Sequence, residues 1–504
     1  MTRTPIQYEY PPFTLRSNTL LFHDWRYVHH GTTRWTAAAG EPIERYSDEP
    51  LPDVVEWQGT DIPSGIRLRA IPARKSESFL CADSPWEEHL RHATIIRDGG
   101  TYRLWYDTKS LGCYAESDDG TTWRKPKLGL REFEGSTANN ILWGENLSPE
   151  PDYIGAGCVF IDPSSPAKEK YKSFHNRHID ADVFEKYRRR YPEDTSPRAH
   201  LGIGRGKRTL AQAGATSPDG IHWTPFDLPL VVHGSDTQNV AYYDEVLAKY
   251  VGYFRTHVFR RRSIGRAETD DFRHFPLPDT IVWPDAGTGP ADVWYANGRT
   301  SYPGASDYHL MFGRKWSVSE DRWSIHMATS PDGVLWSFPP ESQVLAPGSH
   351  DEWDAGGSAV GPGMVDLPGD RVGVPMIGYA VPHKYPRRKP LGEIAWATWQ
   401  KGRLVALVAD EHGSFRTPAL LFEGDTMRVN VRTKHVGNLL VEVVSDDCNP
   451  ISGHTFDDCD RINGDYLDHS VTWRGDPIIR REGHRPVSFR VKLSHGELFG
   501  FTFG

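Results

Sequence analysis

One short phrase recurs along the chain and restricts its fold more than any other feature. Ser117-Asp118-Asp119-Gly120-Thr121-Thr122-Trp123, Ser217-Pro218-Asp219-Gly220-Ile221-His222-Trp223 and Ser330-Pro331-Asp332-Gly333-Val334-Leu335-Trp336 share the spacing S-x-D-G-x-x-W. Asp-Gly after Ser-Pro or Ser-Asp is hairpin chemistry. The carboxylate bonds to its own backbone, and Gly accepts positive φ at no steric cost. The Trp is expected to open the next strand. One copy would be an ordinary turn. Three copies, each after a strand-like run, require a repeated β-unit.

Aligned on this phrase, the chain shows strand-like runs in groups of four. The first group is Ala93–Arg97, Tyr102–Tyr106, Cys113–Ser117 and Trp123–Lys125. The second is Ala156–Ile161, Tyr171–Phe174, Ala211–Thr216 and Trp223–Phe226. The third is Asn239–Tyr243, Tyr250–Phe254, Ser263–Glu268 and a short run near Phe275, with the degenerate phrase Thr269-Asp270-Asp271-Phe272. The fourth is Val293–Ala296, Tyr308–Phe312, Ser324–Thr329 and Leu335–Phe338, and the fifth is Ala359–Val365, Val372–Tyr379, Glu393–Trp399 and Arg403–Val408. Five such units predict an all-β chain built as a five-bladed β-propeller, since a radial array of twisted sheets leaves no long edge exposed. A stack of β-sandwiches would account for the repeated phrase less well. After Asp410 the text changes to alternating runs separated by Gly-Asn and Asn-Gly turns, which predicts a C-terminal β-sandwich. The expected division is residues 1–85 as an N-terminal arm on the propeller, able to lend it a strand, then 86–410 as the propeller and 411–504 as the sandwich.

A long insertion, Asn176–Thr209, separates the second and third runs of the second unit. Asp182–Tyr191 reads as a short helix, and Gly202-Ile203-Gly204-Arg205-Gly206-Lys207 follows it. With no βαβ unit around it, this is not a dinucleotide signal. Loops this long are functional or mobile more often than not, so a basic lid is one reading and a surface excursion the other.

Composition narrows the partners. The chain has 504 residues, 17 Trp, 21 Tyr, 47 Gly and 38 Pro, which suits a turn-rich β protein with aromatic-lined grooves. A net charge of -9 gives no global basic field for nucleic acid. Mean hydropathy is -0.57, and no apolar run has membrane-spanning length. The N-terminal residues carry no apolar leader, and the 5 cysteines form no C-x-x-C pair, so a cytoplasmic protein with free thiols is expected. Cys448 and Cys459 are near enough in sequence to pair. Nothing in the spacing of ligand-type residues argues for a metal or other cofactor.

In a propeller, loops entering the first strand and leaving the second strand of each blade share one face. Acidic residues precede the first strands: Glu87 and Glu88, Asp152, Asp236, Asp292, and Asp351, Glu352 and Asp354. After the second strands stand Asp107 and Lys109, His175 to His178, Arg255 and His257, Arg314 to Trp316, and Tyr379 to Lys384. This predicts carboxylates beneath a collar of Arg, His and aromatic side chains. Such convergence has a reason in glycosyl transfer, where one acid protonates the leaving oxygen and one carboxylate attacks or activates water. Crowding raises carboxyl pKa values and keeps an acid protonated. Trp and Tyr offer flat faces to sugar rings, and Arg reads hydroxyls or anions. Asp119, Asp219 and Asp332 belong to the turns and are read as structural.

Tyr102-Arg103-Leu104-Trp105-Tyr106, Tyr114-Ala115-Glu116-Ser117-Asp118-Asp119-Gly120 and Lys125-Pro126-Lys127-Leu128-Gly129-Leu130, with Gly437-Asn438-Leu439-Leu440-Val441-Glu442-Val443 and Val471-Thr472-Trp473-Arg474-Gly475, carry a family likeness. Together with the five blades and the C-terminal sandwich, they resemble the family 32 and 68 fructosidases and family 43 glycosidases, in an outlying branch. The resemblance implies a glycosidase acting on a small oligosaccharide or glycoside, with a furanosidic sugar such as fructose or arabinose as first choice. By blade position it implies Glu87 as nucleophile or base, Asp236 as transition-state stabiliser and Asp292 as acid. Trp86, Trp105, Asp107, His175, Arg255, His257, Arg314 and Asp354 would hold the sugar. The fructosidase phrases W-M-N-D-P-N-G and E-C are absent, and Glu and Asp are exchanged between blades one and four. The repeated phrase is also similar to the Asp-box of sialidases, which has one more residue between Asp and Gly. A sialidase-like hydrolase of an acidic sugar and a carbohydrate-binding propeller without turnover are the alternatives. Self-association is left open.

Overall fold

A computed structural model describes residues 10–44, 48–108, 111–144, 154–194, 209–386, 392–445, 447–481 and 483–504. Lys109, Asp152 and the Gly202–Lys207 phrase lie outside them, as do residues 195–208 of the segment read as a lid. The regular structure of the described residues is almost entirely strand, with one α-helix at Ala181–Arg190 where a helix was expected. Asp180 caps it by accepting from the Val183 amide. Among the described residues, no helix is long and apolar enough to cross a membrane.

The chain forms two compact units, Pro72–Lys401 and Ile6–Ile71 with Gly402–Gly504, apart from its first residues. In the first unit, three four-stranded antiparallel meanders follow one another: Arg91–Gly144, Ile154–Pro225 and Val240–Val282. A ten-stranded sheet then carries the strands from Asp292 to Gln400. It consists of two meander-like groups joined by a single parallel bridge, Trp323 to Gly357. Gly357 has φ +107, and a Cβ there would lie 2.4 Å from the Trp323 carbonyl oxygen, so only Gly permits the junction.

The repeated phrases do more than turn the chain. In each, the Asp accepts from the two amides after Gly: Thr121 and Thr122 at 2.7 Å, Ile221 and His222 at 2.9 and 2.8 Å, Val334 and Leu335 at 2.7 and 2.8 Å. The Trp was expected to open a strand. Instead its indole N–H donates back to the Gly carbonyl of its own turn, at 3.3, 3.0 and 3.1 Å. That same carbonyl also accepts from an aromatic side chain of another sheet. Gly220 accepts from Trp105 at 2.8 Å, Gly333 from Tyr253 at 2.6 Å, and Gly120 from Trp396 at 2.7 Å. The first two links run from one sheet to the next. The third runs from the last group of strands back to the first, which closes the series. Apolar packing follows the same order: Trp105, Tyr114 and Trp143 meet Val159 and Tyr171, while Ile95 and Leu104 share a core with Ile377 and Trp396.

Four strand expectations change. Past the turns, Trp123–Lys125 and Leu335–Phe338 contribute only single bridges, Glu116 to Arg124 and Thr329 to Ser337. The outer strands come later, at Ile141–Gly144 and Gln343–Leu345, and at Asp279–Val282 in place of the run near Phe275. Arg403–Val408 is not the outer strand of the fifth group. Arg74–Lys75 takes that edge, paired with Thr398 and Ala397, while Val405–Arg416 belongs to the second unit. There it pairs with Arg67–Ala70 and Ser488–Phe503 in a six-stranded sheet that also holds Thr19–Leu21 and Met427–Val444. The N-terminal segment expected as an arm on the propeller thus supplies strands to this sheet. All five cysteines are free thiols, Cys448 and Cys459 included.

Candidate functional site

The hairpin Lys249–Val258 and Arg261–Thr269 delivers the first basic groups. It turns on Phe259 and Arg260, whose φ values of 46° and 66° are the left-handed pair a two-residue hairpin needs. Neither is Gly, so the turn carries strain of the kind found at functional sites. Arg262 lies directly across from His257, and Arg255 is two residues back on the same face. Asp236 sits in the loop leading into the same sheet. That loop is pinned by Ser235 donating to Asn239 Oδ1 at 2.8 Å and by Asn239 donating to Gln212 Oε1 at 2.9 Å. Asn239 Oδ1 also accepts from the Arg255 amide at 3.1 Å, which fixes the two segments together. The Arg255 guanidinium bonds the Asp236 carboxylate. Burial raises the Asp236 pKa, but the Arg255 charge outweighs it and leaves the carboxyl below its usual value.

The aromatic part comes from the next strands. A bulge between Trp294 and Ala296 puts Tyr295 on the same face as Trp316, with ring centroids 6.1 Å apart. Trp316 pairs across the ladder with Trp323. His383 lies 5.1, 5.1 and 4.7 Å from the rings of Tyr295, Trp316 and Trp323. Asp321 anchors this corner by accepting from Trp316 Nε1 at 3.1 Å and from the Lys384 amide at 2.6 Å. Arg314 stacks 3.3 Å from the Trp323 ring. Three guanidiniums therefore surround one phenol: Arg255, Arg262 and Arg314 lie 5.4, 5.1 and 5.3 Å from the centre of Tyr295.

The structure brings together only part of the expected set: Asp236, Arg255, Arg314 and, on the same hairpin face, His257. The other expected residues are spent elsewhere. Glu87 is 2% exposed and accepts from Tyr106 at 2.5 Å, Lys125 at 2.7 Å and the Asp83 amide at 3.1 Å, so it is enclosed in contacts within the protein. Asp292 lies on the opposite face of its strand from Tyr295, 3.4 Å from Lys315 and beside His326. Asp354, 1% exposed, pairs with Lys75 at 2.5 Å, and Asp107 pairs with His92 at 2.7 Å. Trp105 is fully buried with its N–H on Gly220, Trp86 donates to Asn140 at 2.9 Å, and His175 is buried and held neutral by desolvation, its pKa falling to about 3. The carboxylates therefore do not form one open ring. Each of these buried acids took the nearest cation or hydroxyl, because an ion left bare in the interior costs several kcal/mol. Sequence reasoning missed Arg262, Tyr295 and Trp323. The run Arg260-Arg261-Arg262 at a hairpin end was the available signal. Among the described residues, no group of three or more His, Cys, Asp or Glu is placed to hold a metal.

No family model matches the sequence, and no curated protein matches it. The fold is similar to those of solved propeller-type glycoside hydrolases of families 43 and 32. A thermostable family-43 glycoside hydrolase is 12% identical, covering 65% of this chain and 95% of its own, with TM-score 0.44. Exo-inulinase from Aspergillus awamori is 11% identical, covering 86% of this chain and 98% of its own, with TM-score 0.39. A fructofuranosidase from Schwanniomyces occidentalis, solved with fructosylnystose, is 10% identical over 86% of this chain and 96% of its own, with TM-score 0.40.

Proposed function

We propose that the chain is a glycoside hydrolase whose Pro72–Lys401 unit is a five-bladed β-propeller and whose other unit is a β-sandwich. The observation that carries the reading is one accessible carboxylate, Asp236, ionised against Arg255 at the edge of the Tyr295, Trp316 and Trp323 cluster. Aromatic faces suit sugar rings, and a fixed negative charge suits the oxocarbenium-like transition state. A carboxylate held ionised by a guanidinium is a poor proton donor, so Asp236 takes the stabilising role. A furanoside such as a fructoside or arabinofuranoside is the first substrate to try.

The test uses leaving groups. Aryl glycosides with acidic phenols need little protonation, whereas alkyl glycosides need an acid. Asp236→Asn is expected to lower turnover of both classes by about 100-fold or more. A variant of the proton donor would instead lose the alkyl substrate and keep the aryl one. Asp292→Asn is the variant to compare, since Asp292 is the expected acid. Unchanged turnover in Asp236→Asn would remove it from the reaction.

A second reading has its own support. Glycoside hydrolysis uses two carboxylates, and in the three-arginine cluster Arg255 is bonded to one, Asp236. A carbohydrate-binding propeller needs no second one. It is distinguished by sugar binding that Asp236→Asn weakens, with no product from any glycoside.

A further inference from the structure

Arg262 sets the problem. Its guanidinium is partly buried, and among the described residues it has neither a hydrogen bond nor an ion pair. Its neighbours are the ring faces of Tyr295 and Trp316, each 5.1 Å away, and the guanidinium of Arg255. Its Nε has no acceptor among the described residues. Burial and the nearby Arg255 charge both press its pKa down, which marks a site short of negative charge. The carboxylate of Asp236, whose charge is felt at Arg262, is already bonded to Arg255. Stacking on aromatic rings offsets part of this. A partly desolvated cation beside a second cation remains costly unless an anion arrives.

We propose that this site takes a glycoside bearing an oxyanion (a carboxylate, sulfate or phosphate on the sugar), with Arg262 as the residue that binds it and Arg255 as its neighbour. Arg rather than Lys fits the task, because a guanidinium is weakly hydrated, stacks on rings and keeps donors at its edges for oxygen acceptors. The inference rests on the carbohydrate reading for the sugar, but its charge preference stands by itself.

The experiment measures affinity by calorimetry for matched ligands: a methyl uronoside and its methyl ester, the corresponding 6-sulfated and 6-phosphorylated glycosides with their neutral parent, and inorganic phosphate alone. The ester keeps the size and removes the charge. The wild type is expected to prefer at least one anionic member over its neutral partner by tenfold or more, and which one wins names the oxyanion. In Arg262→Gln the preference is expected to fall below about twofold. Arg262→Lys is expected to keep part of it, and far-ultraviolet circular dichroism of both variants checks the fold. Equal affinity for charged and neutral partners in the wild type overturns the proposal, and so does a preference that survives in folded Arg262→Gln. If phosphate binds through Arg262 but no sugar does, the anion site stands and the glycoside reading falls. If neutral sugars bind and anions gain nothing, the reverse holds.

Discussion

Asp162 and Lys172 form the most enclosed ion pair in the molecule's second sheet, 2.9 Å apart with side chains 0% and 3% exposed. Burial raises the Asp162 pKa, but bonds from Ser164, Lys172, Ser165 and Tyr250 overcome it and bring it to about 2. The folded value lies below the unfolded one. The pair's contribution is therefore complete above about pH 4 and is lost as pH falls toward 2. Asp162→Ala leaves Lys172 charged and buried, and is expected to cost about 3 kcal/mol in urea unfolding at pH 7, with the gap to wild type narrowing below pH 4. Asp162 followed by Pro163 just past a strand is turn chemistry, yet its partner Lys172 is reached only through the ladder. The same distinction runs through the site. Asp236, Arg255 and Arg314 were legible because they recur at fixed places around the first and second strands. Asp292 was misplaced because strand parity puts it beside Trp294 and Lys315, and the bulge that turns Tyr295 toward Trp316 leaves no mark in the sequence.

At the level of turns and strands, the repeated phrase was legible and its partners were not. Spacing gave the Asp-Gly hairpin, but not the aromatic donor from another sheet that shares the Gly carbonyl. This double use makes Gly220 costlier to replace than an unencumbered turn glycine. Gly220 has φ +78, and a Cβ would lie 2.7 Å from the Trp105 ring, whereas Gly129 has φ +71 with open space around it. Gly129→Ala should cost about 1 kcal/mol for its backbone alone. Gly220→Ala should add about 1–3 kcal/mol of overpacking. Denaturant midpoints of the two variants decide this, and equal midpoints would deny the turn its role in joining sheets. Three of the outer strands were misread because they are short, as at Gln343–Leu345, and three residues show no period.

For the whole molecule, the thiols report on the two units separately. Cys81 is exposed, while Cys113, Cys158 and Cys459 are buried, and burial raises Cys158 to about 12 and Cys459 to about 11. Only the thiolate reacts. Brief alkylation of the native protein, read by peptide mass spectrometry, should label Cys81 first and leave those three unmodified. In rising urea, Cys113 and Cys158 should become reactive together, because both lie in Pro72–Lys401. Labelling of Cys158 before Cys113 would show that this unit opens sheet by sheet. Fold class was readable at this scale from the repeat alone. The division into units was not, because nothing local in Thr19–Leu21 or Arg67–Ala70 shows that their partners lie beyond residue 402.

That division has a consequence for how the protein is made. Arg74 must wait for Thr398, 324 residues later, before its edge of the sheet can form. Asp61 waits longer for Arg490, 429 residues on. At ribosomal speeds the first delay is roughly 15 to 65 s. Through that interval Thr32–Ala37 and Val55–Thr60 can pair with each other, but Thr19–Leu21, Arg67–Ala70 and Arg74–Lys75 have no partner, and the half-built series of sheets has an open side. Newly made chain is therefore exposed to mispairing for longer than its size alone would suggest, and the last hundred residues to leave the ribosome complete a unit begun by the first.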